Sequence, residues 1–207
     1  NVVVTAWEWS DPDKYLHDLI SSDRRKPTVN AYGLLYGSPE YSTDLMPILN
    51  PKTHEVTTYR MPVRNPQMPV SLGPGHAGAV EPMQPSPYWG DRILWDTRAN
   101  NHNAMFDHLG RLWMAASVRE QNNPDLCKKG STHPSAKVFP LDTSGRHVSV
   151  YDPATGKFQL ISTCFTTHHL NFAHDANDTL WLSGGIGGPG VIGWVNTKLY
   201  DQTGDEM

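Results

Sequence analysis

Cysteine is scarce in this chain: Cys127 and Cys164 are the only two among 207 residues. Their separation excludes a zinc-finger type of site, whose ligands lie a few residues apart. Two states stay open for them: one disulfide tying an insertion to the body of the fold in an oxidising compartment, or two thiols. Basic charge is sparse as well. The formal net charge is −4, and Lys and Arg form no run beyond Arg24-Arg25-Lys26. A nucleic-acid partner is therefore not expected, because no basic footprint is there to meet phosphates. No apolar stretch approaches the ~18 residues that a membrane-spanning helix needs. No signal-peptide pattern is visible either. The first residue is Asn1, and Val2 to Trp7 already reads as a strand. Either an export signal has been removed, or the segment begins inside a longer polypeptide. Helical periodicity is rare; Asp11 to Lys26, around Tyr15-Leu16-His17-Asp18-Leu19-Ile20, is the one stretch expected to form a short amphipathic helix.

What the chain has in quantity is Gly (17), Pro (17) and Trp (7), the composition of an all-β, turn-rich protein. It also repeats itself. Asp107-His108-Leu109-Gly110-Arg111-Leu112-Trp113 and Asp175-Ala176-Asn177-Asp178-Thr179-Leu180-Trp181 share Asp, Leu and Trp at an offset of 68, and Asn103 and Asn171 keep that offset. A second unit recurs between Asn50-Pro51-Lys52-Thr53-His54-Glu55-Val56 and Asp152-Pro153-Ala154-Thr155-Gly156-Lys157-Phe158. Each unit is a turn between strand-forming residues, and one hairpin alone is marginal in water. Alternating repeats of this kind predict successive four-stranded blades of a β-propeller.

The expected first blade runs from Val2–Trp9 through Ala31–Tyr36 to Met46–Tyr59. The second runs from Asn103 through Trp113, Val148–Tyr151 and Lys157–Ile161, and the third from Asn171 through Trp181 to Val191–Val195, with a turn at Asn196-Thr197. Residues 1–207 are thus one partial propeller domain of about three blades, with insertions at about 11–30, 63–98 and 119–145. Closed propellers use about 4–8 blades, since an open stack leaves core groups in water. The expected partners are therefore the remaining blades, from the same polypeptide or a companion chain. A small-molecule ligand is a further expectation.

A His, an Asp five residues on, then Gly and Leu-Trp describe His102 to Trp113, and an Asp-Pro-x-Thr-Gly turn follows at Asp152 to Gly156. This pattern resembles the streptogramin lyase-like group of propellers and, more widely, NHL-type and gluconolactonase-like propellers. The resemblance covers most of the chain outside the insertions. It implies a seven-bladed propeller, exported to the periplasm or outside the cell. It also implies elimination that opens a cyclic ester with a divalent metal, usually magnesium. In that group a His opening the innermost strand pairs with a Glu fourteen residues later. His102 takes the His position, but position plus fourteen is Ala116; in the next repeat the two positions are Leu170 and Gly184, with His169 one residue early. Glu120, four residues beyond Ala116, is the nearest replacement carboxylate.

The ten histidines are the main chemical resource. Asn101-His102-Asn103 and Thr167-His168-His169-Leu170-Asn171 precede equivalent innermost strands, so a propeller brings them to one mouth of its central channel. His102 and His169 are the candidate catalytic residues, and His102, His168 and His169 the candidate metal ligands. Imidazoles there either bind a metal and move protons near neutral pH, or simply hydrogen-bond the adjoining sheet. Three functions follow: a metal-assisted lyase or hydrolase, a non-catalytic binding propeller, or a redox metalloprotein holding copper or iron if the three rings converge. His174 is expected inside the strand before Asp175, and His108 and His54 are expected on turns facing solvent. Asp107 and Asp175 are read as turn caps, Trp113 and Trp181 as core between blades. Gly184 to Gly190 lacks the Lys-Ser/Thr of a phosphate loop and is read as a connection between two strands. Asp96-Thr97-Arg98 and Tyr88-Trp89 are read as a rim or a lid.

Overall fold

The computed structural model describes residues 18–40, 43–67, 87, 90–91, 96–116, 122–184 and 190–206. These residues form ten strands in three antiparallel sheets, so the chain is all-β as its composition implies. The first sheet pairs β1 (Leu35–Tyr36), β2 (Leu45–Asn50) and β3 (Glu55–Arg60) in that order. The second orders β4 (His102–Phe106), β5 (Leu112–Ala116), β6 (His147–Asp152) and β7 (Lys157–Ile161). The third consists of β8 (Thr167–Phe172), β9 (Thr179–Gly184) and β10 (Val191–Asn196). Only the second has four strands among the described residues, and none of the three closes on itself. Val2–Trp9 lies outside the described residues.

Period-2 alternation gives the second sheet two apolar faces. Ala104, Phe106, Leu112, Met114 and Tyr151 meet Tyr36 and Met46 of the first sheet. Met105, Trp113, Val148 and Val150 meet Leu170, Phe172, Leu180 and Leu182 of the third. The sheets therefore stack face to face with the second in the middle, and Trp113, wholly buried, packs its edge against Phe172.

The repeated turns are built by the same chemistry. Asn50 Oδ1 accepts from Lys52 N at 3.0 Å and Asp152 Oδ1 from Ala154 N at 2.9 Å, each a side chain capping its own turn. His54 (φ 62°) and Gly156 (φ 67°) share the left-handed position of the two turns, which explains why a glycine serves in one of them. His54 is exposed there, as expected. Asp107 is a buried cap: its carboxylate accepts from Leu109 N, Arg111 N, Arg111 Nε and Trp113 Nε1, all within 2.9 Å. Asp175 caps the matching turn through Thr179 N and Oγ1 but stays exposed.

Several expectations need correction. Asp18–Lys26, the described part of the anticipated helix, is turn with isolated bridges (Ile20 to Tyr36, Asp23 to Lys26). The Asp23 carboxylate captures Arg25 N at 2.8 Å, an alternative to helical bonding, and Pro27 disfavours the helical region at Lys26. Helix forms instead at α1 (Pro134–Val138) and α2 (Thr197–Thr203). The supposed Asn196-Thr197 turn is the start of α2: Asn196 Oδ1 accepts from Leu199 N at 3.0 Å, and Gly204 (φ 65°) ends the helix. His174 is not in a strand, because β8 ends at Phe172 and His174 sits exposed in the turn. Trp181 is 42% exposed and so is not core.

The insertion between β5 and β6 is ordered over its described part, 122–145. Cys127 and Cys164 form a disulfide that fastens it to the β7–β8 connection. By loop-closure entropy a bridge over 37 residues stabilises the fold by about 4 kcal/mol. The Gly184–Gly190 run does connect β9 to β10. Thr97 is buried, its hydroxyl on Asp44 Oδ1 at 2.7 Å, so it anchors the end of its insertion and forms no rim; Tyr88 and Trp89 lie outside the described residues.

Candidate functional site

The inner strands β4 and β8 lie side by side and are irregular at the same place. In β4 the register shifts between His102 and Met105, and in β8 between Thr167 and Leu170. A bulge adds a residue and re-aims side chains, so residues three apart end on one face. His102 thereby pairs with Ala115 and lies on the face of Met105 and Trp113, which looks toward the third sheet. A regular strand would send His168 and His169 to opposite faces. The bulge in β8 instead brings both toward His102. Asn103, at φ 51°, locks the joint by accepting from Leu170 N at 2.7 Å.

The three rings gather tightly. Ring centres of His102 and His168 are 4.5 Å apart and nearly parallel, those of His102 and His169 5.1 Å, and those of His168 and His169 3.9 Å. One nitrogen from each lies within 4.8 Å of the others. His102 is buried, His168 half-buried and His169 exposed, so the cluster opens to solvent on the β8 side.

The pairing of strands also changes which histidines are equivalent. Phe106 pairs with Leu112, whereas Phe172 pairs with Leu180, because the third sheet's turn is two residues longer. The inner strands therefore match at an offset of 66, and His168, not Leu170, occupies the place of His102. Asn103 matches His169 rather than Asn171.

Two acidic groups and one base support the cluster. Glu40 Oε2 is 2.8 Å from His102 Nδ1, and Asp18 Oδ2 is 3.4 Å from the same atom. The other oxygen of Glu40 pairs with Arg146, whose Nε donates to the Asn100 carbonyl at 3.1 Å. Burial pushes the Glu40 carboxyl up, but the His102 ring and the Arg146 guanidinium outweigh it and hold the group down at about 2. Burial lowers His168 to about 4, reinforced by the neighbouring His169 and His102 rings. Burial and His102 lower His169 as well. At neutral pH these two rings are uncharged and keep a nitrogen lone pair for a metal or a proton.

Among the other residues singled out by sequence, His108 is partly exposed and its Nδ1 lies 2.7 Å from Asp178 Oδ2. Asp178 also pairs with Arg25, whose guanidinium lies over the Phe172 ring. That network ties the far ends of β4 and β8 together, away from the three rings. Glu120 lies outside the described residues. Sequence reasoning missed Glu40, Asp18 and Arg146. Glu40 follows Ser38-Pro39 with no repeat to mark it, and Asp18 sits in the stretch read as a helix. No protein-family model and no curated protein matches this chain.

Proposed function

We propose that this chain is part of an exported β-propeller metalloprotein in which His102, His168 and His169 hold a first-row transition metal, copper or iron. One observation carries the reading: two bulged inner strands deliver three imidazoles whose nitrogens lie within 4.8 Å of each other. Imidazole donors suit copper, iron and zinc, whereas magnesium prefers hard oxygen ligands and a near-octahedral cage. The donor set thus favours a transition metal, as the redox reading requires, over the magnesium of the lyase resemblance. Such a metal would supply one-electron or Lewis-acid chemistry when bound. Glu40 behind His102 is the kind of carboxylate that orients a ligating ring, and Arg146 holds Glu40 in turn. The disulfide supports the periplasm or the cell exterior, where such bonds persist.

A metal-assisted lyase or hydrolase is the second reading, favoured by the Glu40–His102 pair, which places a carboxylate where β5 offers only Ala115 and Ala116. A carboxyl held at about 2 is a poor proton acceptor near neutrality, so Glu40 serves better as a support than as a base.

The test is metal content of the complete purified protein after exposure to Cu(II), Fe(II), Zn(II) or Mg(II). Stoichiometric copper or iron is expected in the wild type, lost in His102→Ala/His169→Ala. His169→Ala alone guards against misfolding, since its side chain is exposed; it should weaken binding at unchanged circular dichroism. Failure of both copper and iron to bind overturns the proposal; binding of zinc alone, or of magnesium alone, favours the lyase or hydrolase reading instead.

A further inference from the structure

The face of the third sheet that looks away from the second is the repeat equivalent of a face the fold buries. On the second sheet, Met105, Trp113, Val148 and Val150 are covered by Leu170, Phe172, Leu180 and Leu182. Strand pairing maps these covered positions onto the third sheet. Met105 pairs with Trp113 and Asn171 with Trp181. Trp113 pairs with Val150 and Trp181 with Trp194; Ala115 pairs with Val148 and Ser183 with Ile192. The four equivalents are therefore Asn171, Trp181, Trp194 and Ile192. All four are exposed, Trp194 at 64% and Ile192 at 74%, and the two indole rings lie 5.8 Å apart. A contiguous aromatic and aliphatic patch of this kind on a sheet face marks an interaction site.

Resting on the propeller reading proposed above, we infer that this face docks a further antiparallel sheet of the same repeat, contributed by polypeptide outside these 207 residues. Its docking side presents aliphatic and aromatic residues in the pattern of Leu170, Phe172, Leu180 and Leu182. Two observations select this occupant. The same face is filled in that way one repeat earlier, so the partner continues an interface already built between the second and third sheets. A head-to-tail second copy would have to offer the outward face of its first sheet. There Pro47 and Leu49, the equivalents of Ser149 and Tyr151, are already buried. The stacking is heterologous, with unlike faces meeting, and repeated application of it adds sheets in one direction.

The test places the photoreactive residue p-benzoylphenylalanine at position 194 (Trp194→Bpa) in the full protein in its source cells, followed by irradiation and sequencing of the cross-linked peptide. The expected adduct is a strand from outside these 207 residues with alternating Leu or Phe, formed at an exposed site whose replacement leaves the fold intact. In the same preparation Trp194→Lys with Trp181→Lys should abolish the equivalent adduct formed from position 192 (Ile192→Bpa). An adduct to Trp181 or Trp194 of another copy would overturn the inference in favour of self-association. No adduct at all, from position 194 or from position 192, would overturn it in favour of a bare face.

Discussion

The second and third sheets are built from one repeat, yet their tryptophans have opposite surroundings. Trp113 is wholly buried, its Nε1 donating to Asp107 at 2.9 Å and its ring meeting Phe172. Trp181 holds the equivalent position and is 42% exposed, with the Trp194 ring 5.8 Å away. The aspartates differ in the same way: Asp107 binds Arg111 and Trp113 from inside the fold, while Asp175 caps its turn in solvent. A repeat position thus has a chemistry but no fixed environment, because the next layer supplies the burial.

The largest effect that separates the two sheets is expected from their tryptophans. Trp113→Ala should cost about 3–5 kcal/mol, toward the upper end because the buried Asp107 loses a donor. Trp181→Ala in the described chain should stay within about 0.5 kcal/mol, as for other surface changes. Urea titration of the two variants measures both; equal losses would break the comparison.

Next comes the disulfide. The insertion it fastens belongs to the second sheet and has no counterpart of that length in the third. Cys127→Ser with Cys164→Ser should lower stability by about 3–4 kcal/mol, read from the urea midpoint under oxidising conditions. An unchanged midpoint would mean that the insertion is held without the bridge.

The smallest effect concerns the joint between the sheets. The His168 value of about 4 lies below its ordinary 6.5, so the unfolded chain binds the extra proton first as pH falls. Its contribution to stability is complete above pH 6.5 and is lost as pH drops from there through 4. Glu40 acts in a lower window: its contribution is complete above its ordinary 4.5 and disappears toward about 2. In the metal-free protein, His168→Asn should flatten the pH dependence of the midpoint between 6.5 and 4 and leave the lower window in place. A slope unchanged in the upper window would assign it to another group.

Much of this was legible from residues alone. The Asp-x-x-Gly and Asn/Asp-Pro turns, the Leu-Trp strands and the β-rich composition carry local information, and the hairpins form where they predict. His102, His168 and His169 were legible as a set because the repeat marks matching inner strands, although the three were expected just before those strands and lie within β4 and β8. The exact equivalence was not, since a turn longer by two residues shifts the inner strands against the outer ones. α2 was signalled by Asn196 and Gly204, a capping pair that the turn reading overlooked. Glu40 and Arg146 had no local signal at all, for they reach His102 from other segments of the chain.

Sequence by itself determined the elements and their turns, because backbone preference and side-chain capping act over a few residues. It also determined which histidines belong together, through the repeat. Tertiary structure decided what those elements meet: which tryptophan is buried, that two bulges turn three imidazoles toward one point, and that a carboxylate stands behind one of them. Burial and long-range contact depend on which sheet lies opposite, and the pattern within a single strand carries no record of that.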